Sequence, residues 1–326
     1  MDGGEALNYN KTIVVANTRD DTLTFIDNWM DKKIENLKIK DLDSFNSKQL
    51  RGNFQSCNIG PYDLATDGKN YLYCTNVYDN SIVKVDLRTR KVLDIAPVGK
   101  YPACIRYYKS NLYIVNSDSN SVSVVEESSF SLLENIPVGE KPIDIQVDEK
   151  NDKLYIANGN GFSIDVIDLN GKRKERIKLV DNPVKLVIDD GIMYILSNVN
   201  NGLLNNSNIY VMDLETYSIK TMDNLKGIFS NMIKINGGEV IFITSMDNGY
   251  LYRMEMKEKN LLSKIYLGGM PNKLEWDGDN ILFISNILTD IITVFDIKEN
   301  KPIDSIKVGK EPNGILVVDR NYVVSN

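Results

Sequence analysis

Histidine is absent from all 326 residues. That absence removes Ser-His-Asp and Cys-His nucleophilic mechanisms, H-E-x-x-H zinc sites and histidine pH switches. Cysteine is scarce: Cys57, Cys74 and Cys104 are the three, with no C-x-x-C spacing. Neither a disulfide framework nor a cysteine zinc site is expected from so sparse and odd a set. Long apolar runs are missing, since none approaches the ~18 residues that span a bilayer. The opening MDGGEALNYNK has neither the basic start nor the apolar stretch of a signal peptide. Excess positive charge is missing too. Lys and Arg total 38 against 45 Asp and Glu, a net charge of −7, which repels a polyphosphate backbone and makes nucleic acid an unexpected partner. The densest basic run, GKRKERIK from Gly171 to Lys178, reads as an outermost strand, where Lys and Arg discourage edge-to-edge pairing.

Nucleotide, calcium and serine-hydrolase signatures are lacking as well. GNGF at Gly159 falls short of a dinucleotide fingerprint, DGDN at Asp277 fits an ordinary turn, and no G-x-S-x-G occurs. No cofactor is called for.

What the chain has is repetition. LYCTNVYDNSIVKVD from Leu72 returns as LYIVNSDSNSVSVVE from Leu112 and LYIANGNGFSIDVID from Leu154. Pro61, Pro102, Pro142, Pro183, Pro271 and Pro312 recur about every forty residues, with one marker missing between Pro183 and Pro271. Ser230 is expected to fill that place, with Ile233 as its third-residue apolar partner. The third residue after each proline is apolar (Leu64, Ile105, Ile145, Leu186, Leu274, Ile315), the period-2 pattern of a strand. Each unit parses into four strands punctuated by turn residues such as Asp67-Gly68 and Asp277-Gly278. A forty-residue, four-strand sheet cannot bury both faces alone, and a radial arrangement solves this by packing each sheet on two neighbours.

The expectation is therefore an all-β, seven-bladed β-propeller of four-stranded antiparallel blades, forming one domain over residues 1–326. The chain starts with second- and third-strand patterns and ends with the first-strand pattern PNGILVVD, so N- and C-terminal strands are expected to share the closing blade. NYVVSN at the C-terminus duplicates TIVVAN, which leaves two candidates for that blade's second strand. The surplus residues of the fourth full repeat are expected as a loop in NVNNGLLNNSN. A polar stretch without strand period, 38–56, reads as a surface insertion.

VGKYP, LYIVN and NSVSVVE, followed by VGEKP, LYIAN and SIDVID, resemble the YVTN-type repeat of the YncE-like β-propeller family. The likeness runs from Lys11 to Asn326, strongest from Pro61 to Asp168 and from Gly269 to Pro312. It implies a seven-bladed propeller and, for some relatives, a cell-surface or periplasmic location or single-stranded DNA binding. The acidic charge opposes carrying the last over. The related virginiamycin B lyases depend on histidine, which this chain lacks.

Asn17, Asn76, Asn116, Asn158, Asn198 and Asn286 end the second strands. Side-chain amides there bond nearby backbone, so these asparagines read as parts of the blade rather than of a site. Positions where the blades differ are better site candidates. Two residues after the prolines stand Asp63, Cys104, Asp144, Lys185, Lys273 and Gly314, at the start of the innermost strands near the channel mouth. Tyr62, Tyr101, Arg106, Asn272 and Asn313 would enlarge a recognition surface there. Two carboxylates and two ammonium groups can bind a polar ligand, hold a cation through Asp63 and Asp144, or neutralise each other.

A monomeric, non-catalytic binding or scaffold propeller, meeting a protein, peptide or glycan through this end, needs no catalytic group. The alternative is a metal-assisted hydrolase or lactonase, in which a metal-bound water works without histidine. Free cysteines point to the cytoplasm; the family resemblance points to the cell surface or export.

Overall fold

The computed structural model describes residues 10–40, 58–171, 173–200, 205–235, 238–258 and 260–320. Its strands form seven four-stranded antiparallel sheets. Blade 1 is the first complete repeat: β4 (Pro61–Thr66), β5 (Tyr71–Asn76), β6 (Ser81–Asp86) and β7 (Lys91–Pro97). Blade 2 holds β8 (Pro102–Tyr108), β9 (Asn111–Asn116), β10 (Ser121–Glu126) and β11 (Ser131–Pro137). Blade 3 holds β12 (Pro142–Asp148), β13 (Lys153–Asn158), β14 (Ser163–Asp168) and β15 (Lys174–Lys178). Blade 4 follows with β16 (Asn182–Asp189), β17 (Ile192–Asn200), β18 (Asn205–Asp213) and β19 (Ile219–Lys226). Blade 5 comprises β20 (Phe229–Lys234), β21 (Val240–Ser245), β22 (Tyr250–Glu255) and β23 (Asn260–Tyr266). Blade 6 comprises β24 (Pro271–Trp276), β25 (Ile281–Asn286), β26 (Ile291–Asp296) and β27 (Lys301–Lys307). The closing blade takes β28 (Pro312–Asp319) as its innermost strand, followed by β1 (Lys11–Asn17), β2 (Thr22–Asn28) and β3 (Lys33–Lys38). Innermost strands touch in ring order, and β24 meets β28, which meets β4. The molecule is a seven-bladed β-propeller.

Burial explains the repeated phrases. Second strands are buried almost throughout, as in LYIVN of β9 and LYIAN of β13, whereas outer strands such as β11 are exposed along nearly their whole length. Cores form between blades: Tyr73, Ile82 and Ala96 of blade 1 pack with Ile105, Ile114 and Val125 of blade 2. A second strand has apolar neighbours on both faces, so its sequence reads as an apolar run rather than an alternation.

The repeated asparagines also find their reason. Asn116 Nδ2 donates to Ser121 Oγ (3.2 Å) and Ser123 Oγ (2.9 Å), Asn76 Nδ2 to Ser81 Oγ (2.9 Å), and Asn158 Nδ2 to Ser163 Oγ (3.1 Å). The glycines of the VG corners lie against these amides. A Cβ at Gly99, Gly139 or Gly309 would overlap Asn116, Asn158 or Asn17, respectively. Asparagine, serine and glycine thus form one packed corner per blade, a structural role.

Three expectations need correction. Phe229, not Ser230, stands where the missing proline would be: it pairs with Ser245, as Pro142 pairs with Asn158. The buried third-position residue is accordingly Met232 rather than Ile233. In blade 4 the marker is Ser197, opposite Pro183, and Asn198 lies one place beyond it. The surplus residues there form strand rather than loop, since β17 and β18 lengthen and pair out to Asn200 and Asn205. The closing blade's second strand is β1, paired Val14 to Leu316 and Ile13 to Val317; NYVVSN lies outside the described residues. Of the 38–56 stretch, Lys38 ends β3 and Ile39 is buried, and residues 41–56 lie outside them too. The basic run does supply an outermost strand, β15, where Arg176 makes two hydrogen bonds with Asp165 (2.6 and 2.9 Å).

Candidate functional site

Innermost strands build the channel. In most blades the register shifts between the opening residue and the second residue after it, for example between Pro102 and Cys104 or Pro142 and Asp144. Such bulges re-aim side chains, and here both the first and second residues line the upper part of the channel. The second positions make a belt of Asp63, Cys104, Asp144, Lys185, Asn231, Lys273 and Gly314. Above it lies a chamber of about 360 Å³ that reaches Tyr62, Ser230, Asn272 and Asn313. Below lies one of about 420 Å³ that reaches Ala65, Arg106, Gln146, Val187, Ile233, Glu275 and Leu316. Lys185, Asn231 and Lys273 border both.

The charges of the belt form one network. Asp63 pairs with Lys273 Nζ (2.8 Å) and accepts the Ile105 N–H of the next blade (3.1 Å). Gly314 stands in the blade between Lys273 and Asp63 and has no side chain to obstruct them. Asp144 pairs with Lys185 Nζ (3.0 Å) and accepts the Leu186 N–H (2.8 Å), again from the next blade. Arg106 reaches up from the lower ring between the two carboxylates, 3.4 Å from Asp63 and 3.5 Å from Asp144. Burial alone would raise the Asp63 pKa, but Lys273, Arg106 and the Ile105 N–H outweigh it and hold the carboxyl well below its usual range. Asp144 is lowered for the same reasons, with Lys185 its main partner. Burial and the two other cations pull Lys185 down against the attraction of Asp144. Burial pushes the Cys104 thiol up to about 12, which leaves it without the thiolate a nucleophile needs.

All the candidate residues except Tyr101 and Arg106 line the upper chamber. Tyr101 lies on the loop entering β8, its ring 6.2 Å from that of Tyr62. Arg106 belongs to the lower ring. Asn272 Nδ2 donates to Asn313 Oδ1 (3.2 Å), whose own amide donates to Thr18 Oγ1 (2.7 Å). Among the polar channel residues, Asn231, Gln146 and Glu275 escaped the sequence reading. Asn231 was hidden by the one-residue slip at Phe229. Glu275 lies two residues beyond Lys273, so strand alternation could have placed it on the same face. Its carboxylate accepts the Val317 N–H (3.3 Å), and burial raises its pKa to about 7 against the pull of Lys273 and Arg106.

The belt is poorly built for a cation, since Asp63 and Asp144 would have to release ammonium and guanidinium partners. Among the described residues, no group of three or more His, Cys, Asp or Glu side chains could hold a metal.

The two ends of the ring differ. Loops joining second to third strands, and those entering first strands, emerge at the upper end. Tyr78, Phe162, Val180, Ile228 and Leu288 lie on those loops and are exposed, Val180 at 82% and Leu288 at 67%. Phe162 and Val180 are neighbours, because the Leu179 N–H donates to the Phe162 carbonyl (2.8 Å). Among the described residues, Met30 is the only exposed large apolar side chain on the loops of the opposite end. No helix there is long and apolar enough to cross a membrane.

No protein-family model matches the chain, and no curated protein matches it by sequence. Solved structures do match it. A chain of Kuenenia stuttgartiensis hydrazine synthase superposes with a TM-score of 0.70 at 17% identity, over 83% of this chain and 99% of that one. A Bacteroides fragilis protein described as a candidate 6-phosphogluconolactonase gives 0.71 at 11% identity, over 97% and 100%. Virginiamycin B lyase from Staphylococcus aureus gives 0.67 at 13% identity, over 82% and 94%. At these identities the likeness shows the fold alone: the chain shares the seven-bladed propeller with proteins of unrelated chemistry.

Proposed function

We propose that this chain is a non-catalytic binding propeller of the YVTN, YncE-like type, one domain and one protomer, that docks a protein partner on its upper end. The supporting observation is the placement of Tyr78, Phe162, Val180, Ile228 and Leu288 on that end. Exposed apolar side chains gathered at one end suit an interaction surface, and Phe162 and Val180 are neighbours there. Three of the five are aliphatic, which suits an apolar protein surface better than a glycan, whose hydroxyls want polar partners. The channel belt agrees with a role in holding the blades together, because each aspartate clasps the following blade through a backbone N–H.

A photo-crosslinking residue placed at Val180 or Leu288 tests the proposal in cells, with the same residue at Met30 as the comparison. Discrete adducts at the upper positions alone would support it. Equal labelling at Met30, or none at either end, would sink it. The metal-assisted alternative requires Asp63 and Asp144 freed from their cations; metal bound stoichiometrically to the purified protein and lost in Asp63→Asn would favour it instead.

A further inference from the structure

The lower chamber is a second candidate site, at the other side of the belt. Two stretches of its lower ring are apolar, Leu316 with Ala65 and Val187 with Ile233; Arg106 and Gln146 separate them on one side and Glu275 on the other. A volume of about 420 Å³ lies in the range of small-molecule sites, which are mostly apolar with a few convergent polar groups.

The polar groups select the charge of the occupant. Arg106, Lys185 and Lys273 supply three cations, and Asp63 and Asp144 two firmly ionised carboxylates, an excess of one positive charge whenever Glu275 carries its proton. Arg106 is shared between the aspartates at 3.4 and 3.5 Å, longer than the ~2.7–2.9 Å of a charge-assisted hydrogen bond. Its one shorter bond goes to the Ile105 carbonyl (2.7 Å). The guanidinium and the Lys273 ammonium remain accessible, with side chains 23% and 18% exposed. They can therefore shorten onto a third acceptor without leaving the network.

We infer that the lower chamber binds a small monocarboxylate with a short apolar tail, its carboxylate between Arg106 and Lys273 and its tail against Val187 and Ile233. A monoanion matches the excess charge, and a dianion such as phosphate would exceed it and leave the apolar wall unfilled.

Glu275 tunes the site. The charged groups facing it are Lys273 from its own strand, Arg106 from β8 and Asp63 from β4; neighbouring β20 and β28 present no charged side chain to either chamber. A protonated Glu275 repels no anion and can donate to it, whereas ionised Glu275 repels it. With a pKa of about 7, binding weakens as pH rises, by up to about tenfold between pH 6 and pH 8 if only the protonated form binds.

Calorimetric titration of the intact protein with butyrate, at pH 6 and pH 8, tests the inference, with butyramide and inorganic phosphate as comparisons. Butyrate is expected to bind, more tightly at pH 6, and the two comparisons at least tenfold more weakly. Glu275→Gln should keep the pH 6 affinity and abolish the difference at pH 8. Val187→Phe, which fills the chamber without removing a charge, should abolish binding in a folded protein, as should Arg106→Gln if it folds. No butyrate binding at either pH would overturn the inference, as would butyramide binding as well as butyrate, phosphate binding more tightly, or unchanged binding in Val187→Phe. The upper-end variants bear on neither result, so the two proposals stand or fall separately.

Discussion

Asp63 is the residue on which most of the belt converges. It neutralises Lys273, approaches Arg106 and accepts an N–H from the next blade. Asp63→Ala removes all three at once and leaves two part-buried cations uncompensated, so it should destabilise the fold by about 3–5 kcal/mol. Urea unfolding would check this; a loss under about 1 kcal/mol would show that water replaces the carboxylate easily. The aspartates and Glu275 also predict two opposite pH trends. Asp63 and Asp144 have depressed pKa values, so their stabilisation is present above the unfolded value near 3.8 and is lost as pH falls below it. Glu275 is raised from 4.5 to about 7, so the folded state holds the extra proton and stability declines as pH climbs through that window. Glu275→Gln should flatten the decline between pH 4.5 and 7 and leave the acid limb unchanged, as measured by urea midpoints across pH. The Gly139 corner gives a packing prediction. Gly139→Ala sets a methyl group into the Asn158 amide and should cost roughly 1–3 kcal/mol. Asn158→Ala made alongside it should recover part of that loss, because the two residues share one space.

Ring closure belongs to the strands. β28 pairs with β1 along Lys11–Val15, and its Ile315 joins Ile13 and Val15 of β1 and Phe283 of blade 6 in one core. A chain ended before Pro312 should lose its cooperative unfolding transition, followed by near-ultraviolet circular dichroism in urea; an unchanged midpoint would mean that six blades suffice. The closure and the count of seven were legible in the sequence, because Pro61 to Pro312 and Asn76 to Asn286 repeat at blade spacing. Register within a blade was less legible. Where Ser197 replaces asparagine in blade 4 and Phe229 replaces proline in blade 5, two misplaced markers agreed with each other and put a one-residue slip into the first strand of blade 5. In a strand such a slip exchanges the faces, which is why Asn231 stayed hidden among the belt residues. The contacts within the belt were not legible, for they join residues as distant in the chain as Asp63 and Lys273, and only closure of the ring brings these together.

At the scale of the whole molecule, the loops of one end of the propeller carry five exposed large apolar side chains, whereas among the described residues the loops of the other end carry only Met30. Exposed side chains on loops contribute little to folding, so Val180→Lys with Leu288→Lys should change stability by less than about 0.5 kcal/mol. The same pair should raise solubility, measured as the protein concentration at the onset of ammonium sulfate precipitation. A loss of stability would mean that these side chains pack in the fold rather than await a partner.

The shared blade sets a timetable for synthesis. β1 to β3 leave the ribosome long before their innermost partner, β28, which begins at Pro312. At about 5–20 residues per second, roughly 15–60 s of translation separate the two. Throughout that interval β1 offers a free backbone edge with Ile13 and Val15 uncovered, a template for pairing with other nascent chains. Chaperone demand from this propeller should therefore begin with the synthesis of β1 and ease only once β28 has emerged to cover it.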